Sequence, residues 1–328
     1  MLYPLKFHPI LKEKIWGGQV LKQYGKPVNE GQNIGESWEL VDYNQDISVV
    51  SDGALEENDL SDLLEVYMGD LVGDAVYERF GNRFPLLFKF INAEDRLSIQ
   101  VHPDDDTAWE RHCDSGKTEM WYVLEAQPGA TLVLGFSQDV TKEQFLQHVN
   151  NGTLSDVLSE VPVRQGDVAF IPSGLVHAVG KGVVLAEIQE TSDLTYRIFD
   201  YNRKDAQGNL RPLHLENALD VIRYEKNPQP FVPVTPVMNG ATNLVQCPWF
   251  TTNILSFNRI VERDYAPLDS FVVYMCIEGQ CVIETDSAPV SLSKGETVLL
   301  PAVINDVRLC PQSPEVRLLE VYIDINRE

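Results

Sequence analysis

The sequence contains no CxxC pair. Its five cysteines, Cys113, Cys247, Cys276, Cys281 and Cys310, are odd in number and unpatterned. That excludes a disulfide framework and a thiolate metal site, and reads as reduced thiols. No apolar run approaches the ~18 residues of a membrane span, so no membrane segment is expected. The first stretch, MLYPLKFHPILKEKIWGG, lacks the apolar core of about 7–15 residues that marks a secretory signal, so the expected location is the cytoplasm. Basic residues are few: 26 Lys and Arg against 49 Asp and Glu, a net charge of −23. A nucleic-acid partner is therefore not expected, since phosphate neutralisation needs a basic surface. A small anion remains compatible, because a few cations can dominate one pocket. Histidine is scarce too, with six in the chain and none after His214.

What is there is an ordinary globular composition, 44% apolar and 23% charged over 328 residues. That length suits two domains of ~150 residues. Strand-like segments rich in β-branched and aromatic residues dominate: 36–50, 85–91, 97–102, 119–125, 131–136, 167–172, 183–190, 252–258, 270–277, 281–285, 297–303 and 316–323. Turn residues bound most of them, which predicts a mainly β fold of the barrel or sandwich kind. Three segments read as helices. Residues 57–80 place Leu60, Leu63, Leu64, Met68 and Leu71 at helical spacing behind a cap at Asp59 or Ser61. Residues 141–160 open with Thr141 and Gln144 in capping-box positions, and residues 214–224 form the third. The proline-rich stretch 227–240 reads as a linker. It divides the chain into an N-terminal domain, 1–235, and a C-terminal domain, 236–328.

The two parts share a pattern. Gly166-Asp-x-x-x-Ile-Pro172 recurs as Gly295-Glu-x-x-x-Leu-Pro301, and Val123-Leu-Glu125 resembles Cys276-Ile-Glu278. The first copy is longer between its halves by about the length of the helical segment 141–160. It therefore reads as the second copy with a helix inserted.

Candidate chemistry concentrates in the first copy. On a strand at LSIQVH, Ser98, Gln100 and His102 share one face and Leu97, Ile99 and Val101 the other. A polar inner face backed by an apolar outer one suits a small barrel with a wet interior. Lys117, Glu119 and Trp121 share a face, as do Leu185, Glu187 and Gln189. His177 follows a Pro-Ser-Gly turn, and Arg197 lies beyond. Alone, each piece describes an ordinary polar strand face or a surface ion pair. Together, His102, Glu119, His177 and the Gln100 amide oxygen make a plausible set for zinc, iron, nickel or cobalt. His8, His112, His148 and His214 lack comparable context and read as surface or packing residues. In the second copy His177 aligns with Asp306 and Glu119 with Val272, so no metal is expected there and its role is structural, covering the exposed sheet of the first.

Gly166-x5-Pro172-x-Gly174-x2-His177 resembles the second motif of the cupin superfamily. Gln100-x-His102 with Glu119 departs from the usual His-x-His and Glu. LSIQVHPDD, KTEMWYVL, GLVHAVG and ETSDLTYRIFDYNR, with KIWGG at 14–18 and GESWE at 35–39, resemble type I phosphomannose isomerase in its short bacterial form. The resemblance implies two cupin barrels of the double-stranded β-helix or jelly-roll kind with a few helices, the second without metal ligands. It implies one zinc ion per chain on Gln100, His102, Glu119 and His177. It implies catalytic roles for Arg197 and Glu187, and substrate contacts at Ser98, Lys117 and Arg203, with Lys89 beside them. The implied activity interconverts mannose 6-phosphate and fructose 6-phosphate through a cis-enediol, in a cytoplasmic monomer or homodimer. The alternatives are a cupin oxygenase using a His102–Glu119–His177 triad, and a sugar-phosphate-binding bicupin without turnover.

Overall fold

The computed structural model describes residues 2–205 and 207–325. Among these, four larger antiparallel sheets carry the fold. Sheet A runs in spatial order Ile10–Gly18, Ile34–Leu40, Leu86–Ala93, Val183–Glu190, Glu119–Ala126, Val168–Ile171. Sheet B runs Tyr196–Phe199, Ile99–Val101, His177–Val179, Thr131–Phe136, Leu158–Pro162. Sheet C runs Gly240–Gln246, Thr251–Phe257, Val316–Tyr322, Val272–Glu278, Thr297–Leu300. Sheet D runs Val261–Asp264, Asp306–Pro311, Gln280–Glu284, Val290–Ser293. The described α-helices are α1 Leu60–Tyr67, α2 Gly69–Val72, α3 Asp74–Phe80, α4 Asp105–His112, α5 Lys142–Asn151 and α6 Leu215–Val221.

Strand alternation explains the layering. On Glu119–Ala126, Trp121 and Val123 pack with Leu132, Leu134 and Val179 of sheet B. Met120, Tyr122 and Leu124 point the other way and join Val273, Met275, Leu319 and Val321 of sheet C. The central strands of sheet A are thus buried on both faces, which is why Leu86–Ala93, Glu119–Ala126 and Val183–Glu190 read as largely apolar runs. Sheet C turns its opposite face, Leu255, Tyr274 and Leu318, toward Ile283 and Leu309 of sheet D. Ile99, Val101 and Ala178 on the outer face of sheet B are covered by Phe145 of α5 and Ala218 of α6. The layers are therefore helix, B, A, C, D. The C-terminal sheets do cover sheet A, as expected, and Leu60, Leu64, Leu71 and Val76 of α1–α3 fill the same central core.

The repeat is a repeat of strand register. Tyr122 pairs with Val168 and Glu119 with Ile171, while Met275 pairs with Thr297 and Val272 with Leu300. The amide of Gly166 donates to Val123 O at 2.9 Å, and that of Gly295 to Cys276 O at 2.8 Å. Gly295 has φ +88, and a Cβ there would lie 2.2 Å from Tyr24 O. Residues 137–157 of the first copy hold α5, and the corresponding connection, residues 285–289, holds no helix.

Several expectations need correction. The helix expected over 57–80 is three short helices. Asp59 caps the first, accepting from the Asp62 amide at 2.8 Å. The chain then breaks at Met68, with φ +47, and at Gly73, with φ +96, and Met68 faces solvent. The capping box at Thr141 is present, but α5 ends at Gly152 in the left-handed conformation, and residues 158–160 enter a strand. The third helix covers only Leu215–Val221. Strand 36–50 is Ile34–Leu40 followed by a small Asp42–Tyr43/Asp46–Ile47 hairpin. Leu97 lies before its strand begins and faces the inner cluster, not the outer one.

Candidate active site

Three buried ligand-type side chains meet where sheets A and B face each other. His102 follows Ile99–Val101, Glu119 opens its strand on sheet A, and His177 opens its strand on sheet B. The Pro172–Leu175 turn aims His177. Its Gly174, at φ +86, donates to His102 O at 2.9 Å, and a Cβ there would meet Val221 O at 2.7 Å. His177 then pairs with Gln100 across sheet B. One ligand atom from each of His102, Glu119 and His177 lies within 4.8 Å of the others.

The imidazoles are oriented from behind. His102 Nδ1 lies 2.8 Å from Leu194 O and His177 Nδ1 lies 2.8 Å from Leu175 O. Each backbone carbonyl accepts an Nδ1–H, which leaves the Nε2 lone pair facing Glu119. Those Nε2 atoms are 3.6 and 3.5 Å from the Glu119 oxygens. Burial, with the Lys117 charge, drives the His102 pKa well below its ordinary value, and burial drives His177 down to about 4. Both are neutral, the ligating form. Burial and the nearby Glu187 push Glu119 up to about 7, against the pull of Lys117. Its Oε1 is buried without a hydrogen-bond partner among the described residues. A buried carboxylate oxygen left orphaned beside the His177 Nε2 lone pair, with His102 Nε2 beside the carboxylate's other oxygen, is a position a divalent cation would satisfy. The donor set fits such an ion. The Gln100 amide stands 3.3 Å from His177 Nε2 and, turned over, would add an oxygen.

A cleft of about 200 Å³ opens beside this cluster, lined by Ser98, Gln100, Lys117, Lys89, Glu187 and Arg197, among others. Charges interleave along it. Lys14 pairs with Glu36 at 3.1 Å, Lys89 with Glu187 at 3.0 Å, and Lys117 with Glu119 at 2.6 Å. Lys117 also lies 3.9 Å from Glu187. Trp121 Nε1 donates to Glu187 Oε2 at 2.8 Å. Burial alone would raise Glu187, but Lys117 and Lys89 outweigh it and hold the carboxylate ionised. Lys14 and Lys89 likewise outweigh burial at Glu36 and bring it to about 2. Burial and the neighbouring Arg211 lower Arg197, whose buried Nε has no partner among the described residues. A larger cavity, about 420 Å³, opens on the outer face of sheet B and contains none of these groups. The candidate residues line the smaller one or cluster beside it.

The cleft holds Ser98, Gln100, Lys117, Lys89, Glu187 and Arg197, the cluster beside it holds His102, Glu119 and His177, and of the candidate residues Arg203 alone lies in neither. That side chain turns away, to Asp200, Asp95 and the Arg96 carbonyl. Arg211 lines the cleft in its stead and shares Asp200 with it. Arg211, Lys14, Glu36 and Trp16 were not singled out from the sequence as site residues. For Lys14, Trp16 and Glu36 the signal existed, because the KIWGG and GESWE stretches contain them. His214 does more than pack: its Nδ1 accepts the Arg197 amide at 3.1 Å.

Comparisons with known proteins agree with this arrangement. Residues 4–128 match the model for the catalytic domain of type I phosphomannose isomerase, and residues 240–317 match that for the cupin domain of mannose-6-phosphate isomerase. The mannose-6-phosphate isomerase ManA of Bacillus subtilis (strain 168) is 34% identical over 93% of this chain and 95% of its own. The mannose-6-phosphate isomerase of Streptococcus mutans is 35% identical over 93% and 94%. The crystal structure of the Bacillus subtilis mannose 6-phosphate isomerase superposes with a TM-score of 0.86 at 29% identity, over 98% of this chain and 99% of that one.

Proposed function

The chain belongs to the type I phosphomannose isomerases, and from that premise we propose that it interconverts mannose 6-phosphate and fructose 6-phosphate through a cis-enediol. The observation that carries this reading is the buried His102–Glu119–His177 cluster opening onto a cleft of lysines and arginines. The relatives named above do not favour the alternatives: an oxygenase needs no cluster of cations, and pure binding does not require both the ligand set and Arg197.

His102, Glu119 and His177, with Gln100 as a fourth ligand, would hold one zinc ion. Bound there, zinc would polarise the carbonyl and hydroxyl oxygens of the open-chain sugar. Glu187 is the base. Ionised, held by Trp121 and beside Lys89, it takes the C2 proton of the aldose and returns it to C1, while the C2 hydroxyl passes its proton to the C1 oxygen, so that C2 becomes the ketose carbonyl and C1 carries the hydroxyl. Lys117 lowers the basicity of Glu187, and turning Lys117 to a substrate oxygen restores it. Arg197 places fixed positive charge beside the developing enediolate. Ser98, Lys117, Lys89 and Arg211 bind hydroxyls and phosphate, and Arg203 acts behind Arg211 through Asp200. Phosphate held away from the reacting carbons orients them. The enzyme works in the cytoplasm as a monomer or homodimer, with domains 1–235 and 236–328.

The test is conversion of mannose 6-phosphate to fructose 6-phosphate by purified protein before chelation, after chelation and after zinc is restored. Loss and recovery support the isomerase and its metal together. Absence of turnover by zinc-replete protein sinks the assignment for this substrate.

A further inference from the structure

The 420 Å³ cavity on the outer face of sheet B is twice the volume of the catalytic cleft and lies within the range of about 300–1,000 Å³ typical of small-molecule sites. Its floor is apolar, built on Ile99, Val133, Ala178 and Leu158, and one wall is the edge-to-face pair Phe199–Tyr201, with centroids 5.0 Å apart. Arg96 and Lys181 stand at the rim. Neither pairs with a carboxylate among the described residues, although acids outnumber bases 49 to 26. The rim's own carboxylate, Glu160, is engaged by the Thr131 hydroxyl at 2.6 Å.

Tyr201 is held in an uncommon conformation. It and Asn202 have φ +56 and +54, a region a bulky residue rarely occupies and one found disproportionately at functional sites. Two guanidiniums lie near its ring centroid, that of Arg96 at 4.6 Å and that of Arg203 at 5.4 Å. Arg203 in turn binds the Arg96 carbonyl and Asp200, and Asp200 accepts from Arg211 Nε at 2.7 Å. Arg211 lines the catalytic cleft. One short chain of contacts thus joins the two cavities.

We propose that this cavity is a second binding site, for a small organic anion with a flat apolar body, and that its occupancy is felt in the catalytic cleft through Arg203, Asp200 and Arg211. The apolar body lies on the sheet floor against Phe199 and Tyr201, and the anionic group meets Arg96 and Lys181. Drawing Arg203 toward the anion leaves Asp200 to hold Arg211 more tightly, which weakens the grip of Arg211 on substrate.

The probe is 2-naphthoate, titrated calorimetrically, with neutral 2-naphthol as control. Saturable 1:1 binding is expected, weakened at least about tenfold in the exposed-rim double variant Arg96→Gln/Lys181→Gln, with 2-naphthol binding nearly unchanged. No saturable binding, or binding indifferent to the double variant, overturns the site. Saturating 2-naphthoate should also raise KM for mannose 6-phosphate about threefold without lowering kcat, an effect abolished in Asp200→Asn. Unchanged KM with naphthoate bound overturns the coupling. Only this kinetic arm rests on the isomerase reading, and the calorimetry stands without it.

Discussion

Glu187 and Glu320 hold the same place in the two sheet pairs. Each lies opposite the aromatic residue at the middle of the neighbouring strand, Trp121 for one and Tyr274 for the other. Both are buried. Glu320 is saturated: Oε1 accepts from Arg263 Nε at 2.9 Å and from the Tyr265 hydroxyl, and Oε2 accepts from Asn253 at 2.8 Å and Arg263 Nη2 at 3.1 Å. Glu187 has one fixed donor, Trp121, and otherwise faces two lysines that border open space. By register, Lys89 corresponds to Asn253, Glu119 to Val272, Gln100 to Asp264 and His177 to Asp306. On the proposed mechanism, a duplicated architecture buries one carboxylate as a strut and another as a reagent. The difference is whether fixed partners fill its valences or a cleft leaves them to a ligand.

The comparison breaks most sharply at the metal cluster. His177→Ala should lower turnover at least about 10³-fold, the scale of losing a principal stabiliser of developing charge. Asp306→Ala, its exposed counterpart, should leave turnover within about twofold. Metal content by mass spectrometry should fall only in the first. Equal activity in both would remove the cluster from the mechanism.

The two glutamates should fail in opposite ways. Glu187→Gln should lower kcat by about 10²–10⁴ with little change in urea midpoint, as removal of a general base does. Glu320→Gln should leave kcat near normal and cost about 3 kcal/mol, because Arg263 and Tyr265 lose their charged acceptor. Steady-state kinetics and denaturation of the same two proteins decide it. A kinetic defect in Glu320→Gln would refute the assignment of a purely structural role.

How much of this was legible in the residues depended on distance along the chain. The alternation Ser98, Gln100, His102 and the Pro-Ser-Gly turn before His177 are local, and both pointed into the site. The recurring Gly-Asp/Glu-x-x-x-Ile/Leu-Pro pattern survived as strand register. Helix α4 was missed because its residues carry no apolar stripe: Ala108 is the one it buries, and the Asp104 cap is its main signal. Arg211 was invisible because the chain reverses twice before it, at Tyr201 and Asn202 and again in the turn that pairs Lys204 with Leu210, and only then does it line the cleft with Arg197. Lys14 and Glu36 required the pairing of strands on sheet A, which sets Glu36 opposite Ile91 and Lys89 opposite both Trp38 and Glu187.

The arginines sharpen the picture further. Arg211→Ala should raise KM for mannose 6-phosphate about tenfold with kcat little changed, as loss of a charge-assisted contact made equally in ground and transition states requires. Arg203→Ala should raise it only about threefold, because it acts through Asp200. The reverse order would place Arg203 in the cleft when substrate is bound.

The smallest effect concerns the insertion that distinguishes the two copies. Helix α5 sits in residues 137–157, where the second copy has only residues 285–289. Its capping box joins Thr141 and Gln144 reciprocally, with Thr141 Oγ1 accepting the Gln144 amide at 3.2 Å and Gln144 Oε1 accepting the Thr141 amide at 2.8 Å. Thr141→Ala removes one half and should cost about 1 kcal/mol. Phe145, one turn on, packs fully buried against the outer face of sheet B beneath Phe136 and Tyr224. That packing, more than the cap, holds the helix. The loss should therefore appear as faster hydrogen exchange confined to the first turn of α5, with kcat and KM unchanged. Exchange that spreads to His177–Val179 would mean that the inserted helix props the metal-bearing strand, a support the second copy does without.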